Sequence, residues 1–139
     1  MIIIIDSNIL VSAIIKDGFT RELIVQCKEQ LVAPEYLFQE IRNNEEEILL
    51  KSKLNIKDYR DLLKILLKYI TIIPNEVIMS HREEAIKIIK DIDVYDALFI
   101  ATALAFDNSV IWSNDKKLKM QSRVKIINTE EIIKLTFNN

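Results

Sequence analysis

Acidic side chains at the ends of apolar segments are the residues of this sequence best placed to do chemistry. Asp6 follows a run of four isoleucines, and Asp115 comes soon after the apolar segment Val110–Trp112. Asp93 and Asp96 are three residues apart, which places them on one face of a helix that begins there. If these segments are neighbouring parallel strands and a helix that follows them, the carboxylates are expected to meet at one edge of the sheet.

Carboxylates that meet without a basic partner repel one another and raise each other's pKa. Such a group is stable when divalent cations bind it, and oxygen ligands of this kind suit Mg²⁺ or Mn²⁺. One or two such ions activate water and stabilise the leaving oxygen of an in-line displacement at phosphorus. Glu40, at the border of the apolar face of a later helix, is a further candidate for the group. The pattern therefore favours metal-dependent hydrolysis of a phosphodiester.

Each acid also has a purely structural interpretation. Asp6 or Ser7 can cap the first helix, and Asp93 with Asp96 resembles a capping arrangement. The segment Ser113–Lys116 has the composition of an ordinary turn. These alternatives stay open for each residue alone, but they do not explain several acids at strand ends.

The elements that must position these acids are predicted from hydrophobic patterning. Ile2–Ile5 is β-branched without alternation, which is typical of a strand buried on both faces of a parallel sheet. Further strands are predicted over Leu31–Ala33, Thr71–Ile73, Val110–Trp112 and Lys125–Ile127. Because helical patterns alternate with these strands, the expected class is α/β with a mostly parallel sheet. Ligands of such sheets bind at the carboxyl ends of the strands.

The helices between the strands are predicted from apolar spacing and from capping residues. The expected segments are Asn8–Ile15, Arg21–Lys28 capped by Thr20, Glu35–Lys51 after Pro34 at the first position, Ile56–Tyr69 capped by Asn55, Glu76–Ile89, Ala97–Phe106, and a last helix from Thr129. The buried stripe of the fourth is expected to be Leu62, Ile65, Leu66 and Tyr69, and Val77 is expected to point inward from the fifth. Ala97–Phe106 is almost wholly apolar, so it should be buried on all sides.

Composition bounds the remaining possibilities. With 139 residues the chain has the size of one domain, residues 1–139, and half of its residues are hydrophobic. No apolar run is long enough to span a bilayer, and we expect no signal peptide ahead of the first strand. Cys27 is the only cysteine, which fits a reducing, cytoplasmic setting.

Scarce residue types exclude several kinds of site. Gly18 is the only glycine, so neither a P-loop nor a dinucleotide-binding fingerprint exists. His81 is the only histidine, which excludes a Cys/His zinc site and a two-histidine ribonuclease. Since the net charge is −2, a broadly basic nucleic-acid surface is also excluded. If the protein handles a phosphodiester, the positive charge that binds it must come from a metal ion and from the local basic segment. Lys116, Lys117 and Lys119 of that segment are candidate substrate contacts, and the alternative is that they form a solvated face.

Three segments in order resemble the motifs of PIN-domain nucleases, most closely the compact prokaryotic members similar to VapC toxins. Ile2–Asn8 resembles their apolar-Asp-Ser/Thr-Asn opening. Asp96–Leu104 resembles their Asp-Ala-x-x-x-Ala-x-Ala helix, preceded by Asp93, and Ile111–Lys116 is similar to their strand followed by Ser/Thr-x-Asp. Each motif is loose, but the ordered set spans nearly the whole chain.

The resemblance implies a three-layer α/β/α sandwich with strand order 3-2-1-4-5 and a ribonuclease dependent on Mg²⁺ or Mn²⁺. It implies that Asp6, Glu40, Asp96 and Asp115 are catalytic, with Asp6, Asp96 and Asp115 holding the metal. Auxiliary roles fall to Asp93, Asn8, Ser113 and Asn114. Many relatives are toxins with a small antitoxin partner, and many are dimers, so both an antitoxin and a homodimer are expected partners besides RNA.

Alternatives from other classes remain. A phosphoryl-accepting receiver domain needs an acid at the end of a middle strand, but the third strand ends at Ile73-Pro74. A non-catalytic binding module with the same fold is the other rival. The apolar residues Leu50, Leu63 and Leu67 are assigned to core packing, or alternatively to a dimer interface or an antitoxin groove. A toxin, an RNA-maturation enzyme and an orphan nuclease would share the same site residues.

Overall fold

The fold is built on one five-stranded parallel sheet in the order β3-β2-β1-β4-β5. In this computed structural model, residues 1–16, 18–89 and 96–137 are described. The strands are β1 (Ile2–Ile5), β2 (Gln30–Pro34), β3 (Ile70–Ile73), β4 (Ser109–Trp112) and β5 (Ile126–Ile127). Every pairing between neighbouring strands is parallel. The predicted class and the strand order implied by the resemblance are both confirmed.

The isoleucine run forms the central strand, and its successive side chains lie alternately in two separate apolar cores. Ile3, Ile4 and Ile5 are all fully buried. Ile3 and Ile5 belong to one apolar cluster, whereas Ile4 belongs to the cluster on the opposite face. A strand covered on both faces has no reason to alternate polar with apolar residues, which explains the uninterrupted run.

Helices cover both faces of the sheet. They are α1 (Ser7–Ile15), α2 (Phe19–Gln26), α3 (Tyr36–Asn43), α4 (Glu45–Ser52), α5 (Ile56–Leu67), α6 (Asn75–Ile78), α7 (Arg82–Ile88), α8 (Ala97–Leu104) and α9 (Thr129–Phe137), with short 3-10 turns at Met79–His81 and Leu118–Met120. Residues of α1 to α5 and of α9 pack on the face of Ile3 and Ile5. Residues of α6, α7 and α8 pack on the face of Ile4.

Two helix starts differ from the prediction. Thr20 does not cap the second helix, which begins at Phe19 after Gly18. Gly18 has a φ of 99°, a left-handed conformation that glycine adopts at little cost, so the backbone can enter the helix before Thr20. Pro34 is the last residue of β2, opposite Ile73, and the next helix begins at Tyr36. Pro34 lies beyond Val32, the last residue of β2 that pairs with β1, so its missing N–H leaves that pairing intact.

Two predicted long helices are each divided. The segment 35–51 forms α3 and α4, because Asn44 between them leaves the helical conformation, with φ of −103° and ψ of 9°, while its Nδ2 donates to the carbonyl oxygen of Glu40 over 2.8 Å. The segment 76–89 forms α6, a 3-10 turn and α7. Val77 is consequently 46% exposed, contrary to the prediction, and Ile78 takes the buried position.

The start of α5 is confirmed, but its buried stripe is only partly right. The side chain of Asn55 accepts a 2.8 Å bond from the backbone N of Asp58, as an N-cap residue does. Leu66 is fully buried as expected, but Ile65 and Tyr69 are 49% and 44% exposed, contrary to the prediction, and Tyr59 is the second buried residue of the helix. The helix face that meets the core is therefore rotated towards Tyr59.

The apolar helix α8 is mostly buried, with Phe99, Ile100 and Ala101 at its centre. The segment 90–95 lies outside the described residues, and so do Asp17 and residues 138–139. Asp93 is therefore not placed. In the described part of the chain no helix has the length and apolarity needed to cross a bilayer.

Candidate functional site

Two neighbouring strand ends build the centre of the site. Asp6 directly follows β1 and Ser113 directly follows β4, and the register pairs the residues before them, Ile5 and Trp112. The Oγ of Ser113 donates a 2.7 Å hydrogen bond to Oδ2 of Asp6. Residues 107 positions apart in sequence are thus joined at the carboxyl edge of the sheet.

The Asp6 carboxylate is buried, with only 6% of the residue exposed. Its other oxygen, Oδ1, accepts a bond from the backbone N of Asn8 at 3.4 Å and one from the Ser7 hydroxyl at 3.5 Å. Asp6 is therefore also the N-cap of α1, as the structural interpretation proposed. The Asp6 carboxylate can cap the helix and bind Ser113 at once, since Oδ1 accepts the capping bond and Oδ2 accepts the bond from Ser113.

Burial raises the pKa of Asp6 above its ordinary value, because the charged form loses its hydration. The hydrogen bonds from Ser113 and from the backbone of Asn8 oppose this rise, whereas the negative charge of Asp115 adds to it. Among the described residues no lysine or arginine lies within ion-pair distance of Asp6. The site is therefore a desolvated carboxylate beside a second negative charge.

The Ser113 hydroxyl also fixes the loop that carries Asp115. Its Oγ accepts a bond from the backbone N of Asp115 at 3.1 Å, and Asp115 Oδ1 accepts one from the backbone N of Lys117 at 2.9 Å. This short turn holds Asp115 close enough for its charge to act on Asp6. Ser113 thus positions two of the predicted acids at once.

Asp96 and Glu40 lie on elements that border the same edge of the sheet. Asp96 precedes α8 at its N-cap position without making a capping hydrogen bond, and α8 packs against β1, β2 and β4. Glu40 is partly buried on α3. Over the described ranges, however, no three acidic, histidine or cysteine side chains are close enough together to hold a single ion. The structure unites Asp6 with Asp115, and it does not join Asp96 or Glu40 to them in one such group.

A family model for the PIN domain matches residues 4–135 of the sequence. The chain belongs to the PIN-domain family. Two solved structures share its fold. VapBC2 from Rickettsia felis, crystallised bound to a DNA fragment from their promoter, matches with a TM-score of 0.70 and 20% identity, over 92% of this chain and 98% of that one. PAE2754 from Pyrobaculum aerophilum matches with a TM-score of 0.66 and 14% identity, over 96% of this chain and 88% of that one. No curated protein matches the sequence.

The donor set of this PIN domain fits a divalent cation. Mg²⁺ is commonly held by one or two carboxylates while it keeps several waters, so the Asp6 and Asp115 pair meets its minimum requirement. A cation held by Asp6 and Asp115 would offset the repulsion and the desolvation that raise the pKa of Asp6. Oxygen ligands without imidazole or thiolate select Mg²⁺ or Mn²⁺ over softer metals.

The remaining predicted residues have distinct surroundings. Asn8 is exposed and reaches Asp6 only through its backbone. Asn114 Oδ1 accepts bonds from the backbone N and the hydroxyl of Thr129, at 3.0 and 3.2 Å, so its amide serves to anchor α9.

The three predicted substrate lysines are all exposed, but only one has an acidic partner in the part of the chain that the structure describes. Lys119 Nζ lies 2.6 Å from Glu131 Oε1. Lys116 lines a cavity of about 390 Å³ together with Ser113 and Asp115. Of the three lysines, Lys116 is thus the one that shares a cavity with Asp115 and has no acidic partner within the described ranges.

Sequence reasoning missed the hydrogen bond that holds the carboxyl edge of the sheet to α9. The indole Nε1 of the buried Trp112 donates to Thr129 Oγ1 over 3.1 Å, which ties β4 to α9. A buried tryptophan normally needs a partner for its N–H, so Trp112 signalled that a partner existed without identifying it. Neither the pairing of Lys119 with Glu131 nor a large cavity beside Tyr36 had a local signal.

Proposed function

We propose that this protein is a metal-dependent nuclease that hydrolyses phosphodiester bonds of single-stranded RNA, and that residues 1–139 act as one nuclease domain. The observation that carries the proposal is the buried Asp6 carboxylate, held by Ser113 and beside the charge of Asp115 at the carboxyl edge of the sheet. Membership of the PIN-domain family supports nuclease chemistry at that edge. The proposed catalytic acids are Asp6, Glu40, Asp96 and Asp115.

Asp6 and Asp115 would hold Mg²⁺ or Mn²⁺, with Asp96 from the start of α8 as the third acid. Such an ion supplies a water of lowered pKa and positive charge for the leaving oxygen. Ser113 keeps one oxygen of Asp6 oriented, and the turn at Lys117 does the same for Asp115. Burial of Asp6 excludes bulk water from this side of the site, which strengthens electrostatic interactions there. Asp93, Asn8 and Asn114 are proposed as auxiliary residues.

Lysines beside Asp115 are proposed to contact the phosphates of the RNA. Phosphate contacts require only positive charge, and they position a strand without reading its sequence. Lys116 is the main candidate because it lines the cavity next to Asp115. Lys117 and Lys119 would contribute less, since Lys119 is already paired with Glu131.

A toxin role with a protein antitoxin is the biological setting we propose, in the cytoplasm and as a homodimer. Its support is the fold shared with VapBC2 from Rickettsia felis, which was crystallised bound to a DNA fragment from their promoter. Exposed apolar residues on α4 and α5 supply surface for a partner; Leu50 is 79% and Ile65 is 49% exposed.

A non-catalytic binding module is the second candidate. One observation favours it, namely that no three potential ligands of a metal converge among the residues that the structure describes. A module of this kind would keep the fold and the Asp6–Ser113 bond for stability alone.

An RNA cleavage assay separates the two candidates. Purified protein is incubated with single-stranded RNA and Mn²⁺, with and without chelator, beside Asp6→Asn and the control Asp61→Asn, an exposed aspartate on α5. We expect cleavage by the wild type and by Asp61→Asn, and none by Asp6→Asn or in chelator. Cleavage by Asp6→Asn at the parent rate would refute the proposal. Expression of wild type and Asp6→Asn in growing cells then tests toxicity, which only the wild type should show.

A further inference from the structure

A cavity of about 600 Å³ opens on the other side of the central acid from Lys116. It is bordered by Tyr36, which follows the end of β2, and by Asn75, which follows the end of β3. These strand ends lie at the same edge as Asp6, because the sheet is parallel. Ala97, next to Asp96, also lines the cavity. Its volume lies within the range of about 300–1,000 Å³ that is usual for small-molecule sites.

The walls of this cavity are largely apolar. The partly buried ring of Tyr36 and the side chains of Met79 and Ile86 form part of them, and Met79 is 53% exposed. Four exposed polar side chains also line it, namely Glu35, Gln39, Asn75 and Arg82. In the described part of the chain, no acid lies within ion-pair distance of Arg82. Apolar walls that include a tyrosine ring, with amide, guanidinium and carboxylate groups beside them, suit a nucleobase, which has an apolar face and a polar rim of hydrogen-bond donors and acceptors.

The cavity beside Asp115 has a different character. All of its lining side chains are polar or charged, Lys116 and Asn128 among them, and none offers a face for stacking. The two cavities flank Asp6 along the sheet edge, since one follows β2 and β3 and the other follows β4 and β5. The strands β2 and β4 are the two neighbours of β1 in the sheet, and adjacent strands are about 4.8 Å apart.

We propose that the cavity bounded by Tyr36, Asn75, Met79 and Arg82 is a nucleobase subsite that holds one unstacked base of the substrate beside the bond to be cut. The subsite rests on the proposed nuclease function and adds to it a direction for the strand: a base enters on the β2 side, and phosphates pass Lys116 on the β4 side. It also requires the substrate to be single-stranded there, because a paired base cannot enter the cavity.

Nucleoside monophosphates test the subsite directly, because they contain no phosphodiester bond to cleave. Backbone amide shifts are recorded by NMR in chelator while AMP, GMP, CMP or UMP is added. We expect the largest shifts at Tyr36, Asn75 and Met79 for at least one of the four. Shifts confined to the Lys116 loop, or none at all, would overturn the inference.

Substitutions at the stacking wall give the second measurement. Tyr36→Leu keeps an apolar side chain and removes the flat ring, whereas Tyr36→Phe keeps the ring. We expect Tyr36→Leu to weaken nucleotide binding about tenfold and to raise the KM for RNA similarly, and Tyr36→Phe to restore both. Tyr69→Leu, an exposed tyrosine just before β3 at the opposite sheet edge, is the matched control and should change neither.

The outcomes separate this inference from the proposed function. If the wild type cleaves RNA and Tyr36→Leu cleaves it with unchanged KM, the subsite is refuted and the nuclease stands. If the wild type does not cleave but nucleotides shift Tyr36 and Met79, the subsite is supported and the nuclease is refuted. If Met79→Ala changes the solution mass by light scattering and leaves nucleotide binding unchanged, a second copy of the chain occupies the cavity, which overturns the inference.

Discussion

Replacing Ser113 with alanine tests the physical basis of the site. Its hydroxyl is buried, donates to Asp6 over 2.7 Å and accepts from the backbone N of Asp115 over 3.1 Å. A hydrogen bond to a charged group contributes about 1.5–3 kcal/mol, so Ser113→Ala should lower the free energy of unfolding by about that amount at pH 7. The pKa of Asp6 should rise further, because the Ser113 bond is the strongest influence that lowers it. Urea denaturation in chelator measures the first effect, and NMR titration of the Asp6 carboxyl measures the second.

The matched control for this substitution is Ser12→Ala on α1, a partly buried serine whose side chain makes no hydrogen bond within the described part of the chain. Since alanine is the better helix former, the change should be within about 0.5 kcal/mol or slightly stabilising. In an Asp6→Asn background, Ser113→Ala should lower the free energy of unfolding less than in the wild type, since the bond then reaches a neutral acceptor. Equal losses in both backgrounds would refute the coupling of Ser113 to the charge of Asp6.

Three further predictions concern the acid itself, the lysines and a helix cap. Burial puts the pKa of Asp6 in the folded protein above its unfolded value, so the contribution of Asp6 to stability is greatest at low pH and is lost as pH rises through the folded pKa. In chelator, Asp6→Asn should therefore be more stable than the wild type at pH 7. The difference between their urea midpoints should close towards pH 4. Lys116→Gln should reduce the slope of log RNA affinity against log salt concentration by about 0.7. Lys119→Gln should change that slope less, because Lys119 is paired with Glu131. Equal slopes for the two variants would contradict the assignment of Lys116 as the main phosphate contact. Asn55→Ala removes the cap of α5 and should lower the free energy of unfolding by about 1 kcal/mol, measured by urea denaturation.

The sheet was predictable from the sequence because its signal is local and dense. Ile2–Ile5 has the β-branched, uninterrupted pattern that is typical of a strand covered on both faces, and Asn55 caps a helix through a bond three residues away. Helix interruptions were not predictable in the same way. Asn44 leaves the helical conformation and its side chain donates to the carbonyl oxygen of Glu40, and Val77 faces solvent because α6 is a single turn. Both depend on a choice between near-equal local conformations that tertiary packing decides.

The centre of the site was predictable in its residue types and only partly in its geometry. Asp6 and Ser113 meet because both follow neighbouring parallel strands, and the strand order was implied by the resemblance to PIN domains. The position of Asp96 relative to Asp6 depends on how α8 packs across three strands, which no periodicity encodes. The cavity beside Tyr36 is likewise a product of packing between α3, α6, α7 and α8, so its lining has no sequence spacing of its own.

A manganese titration followed by NMR tests most directly whether Asp6 and Asp115 form a cation site. Paramagnetic Mn²⁺ broadens amide signals most strongly close to where it binds. At substoichiometric Mn²⁺ we predict that the amides of Asp6, Asn8, Ser113 and Asp115 broaden first, and that Asp6→Asn abolishes this preference. Uniform broadening across the surface, or broadening centred on the glutamates Glu45–Glu47 at the start of α4, would contradict the metal site and the nuclease built on it.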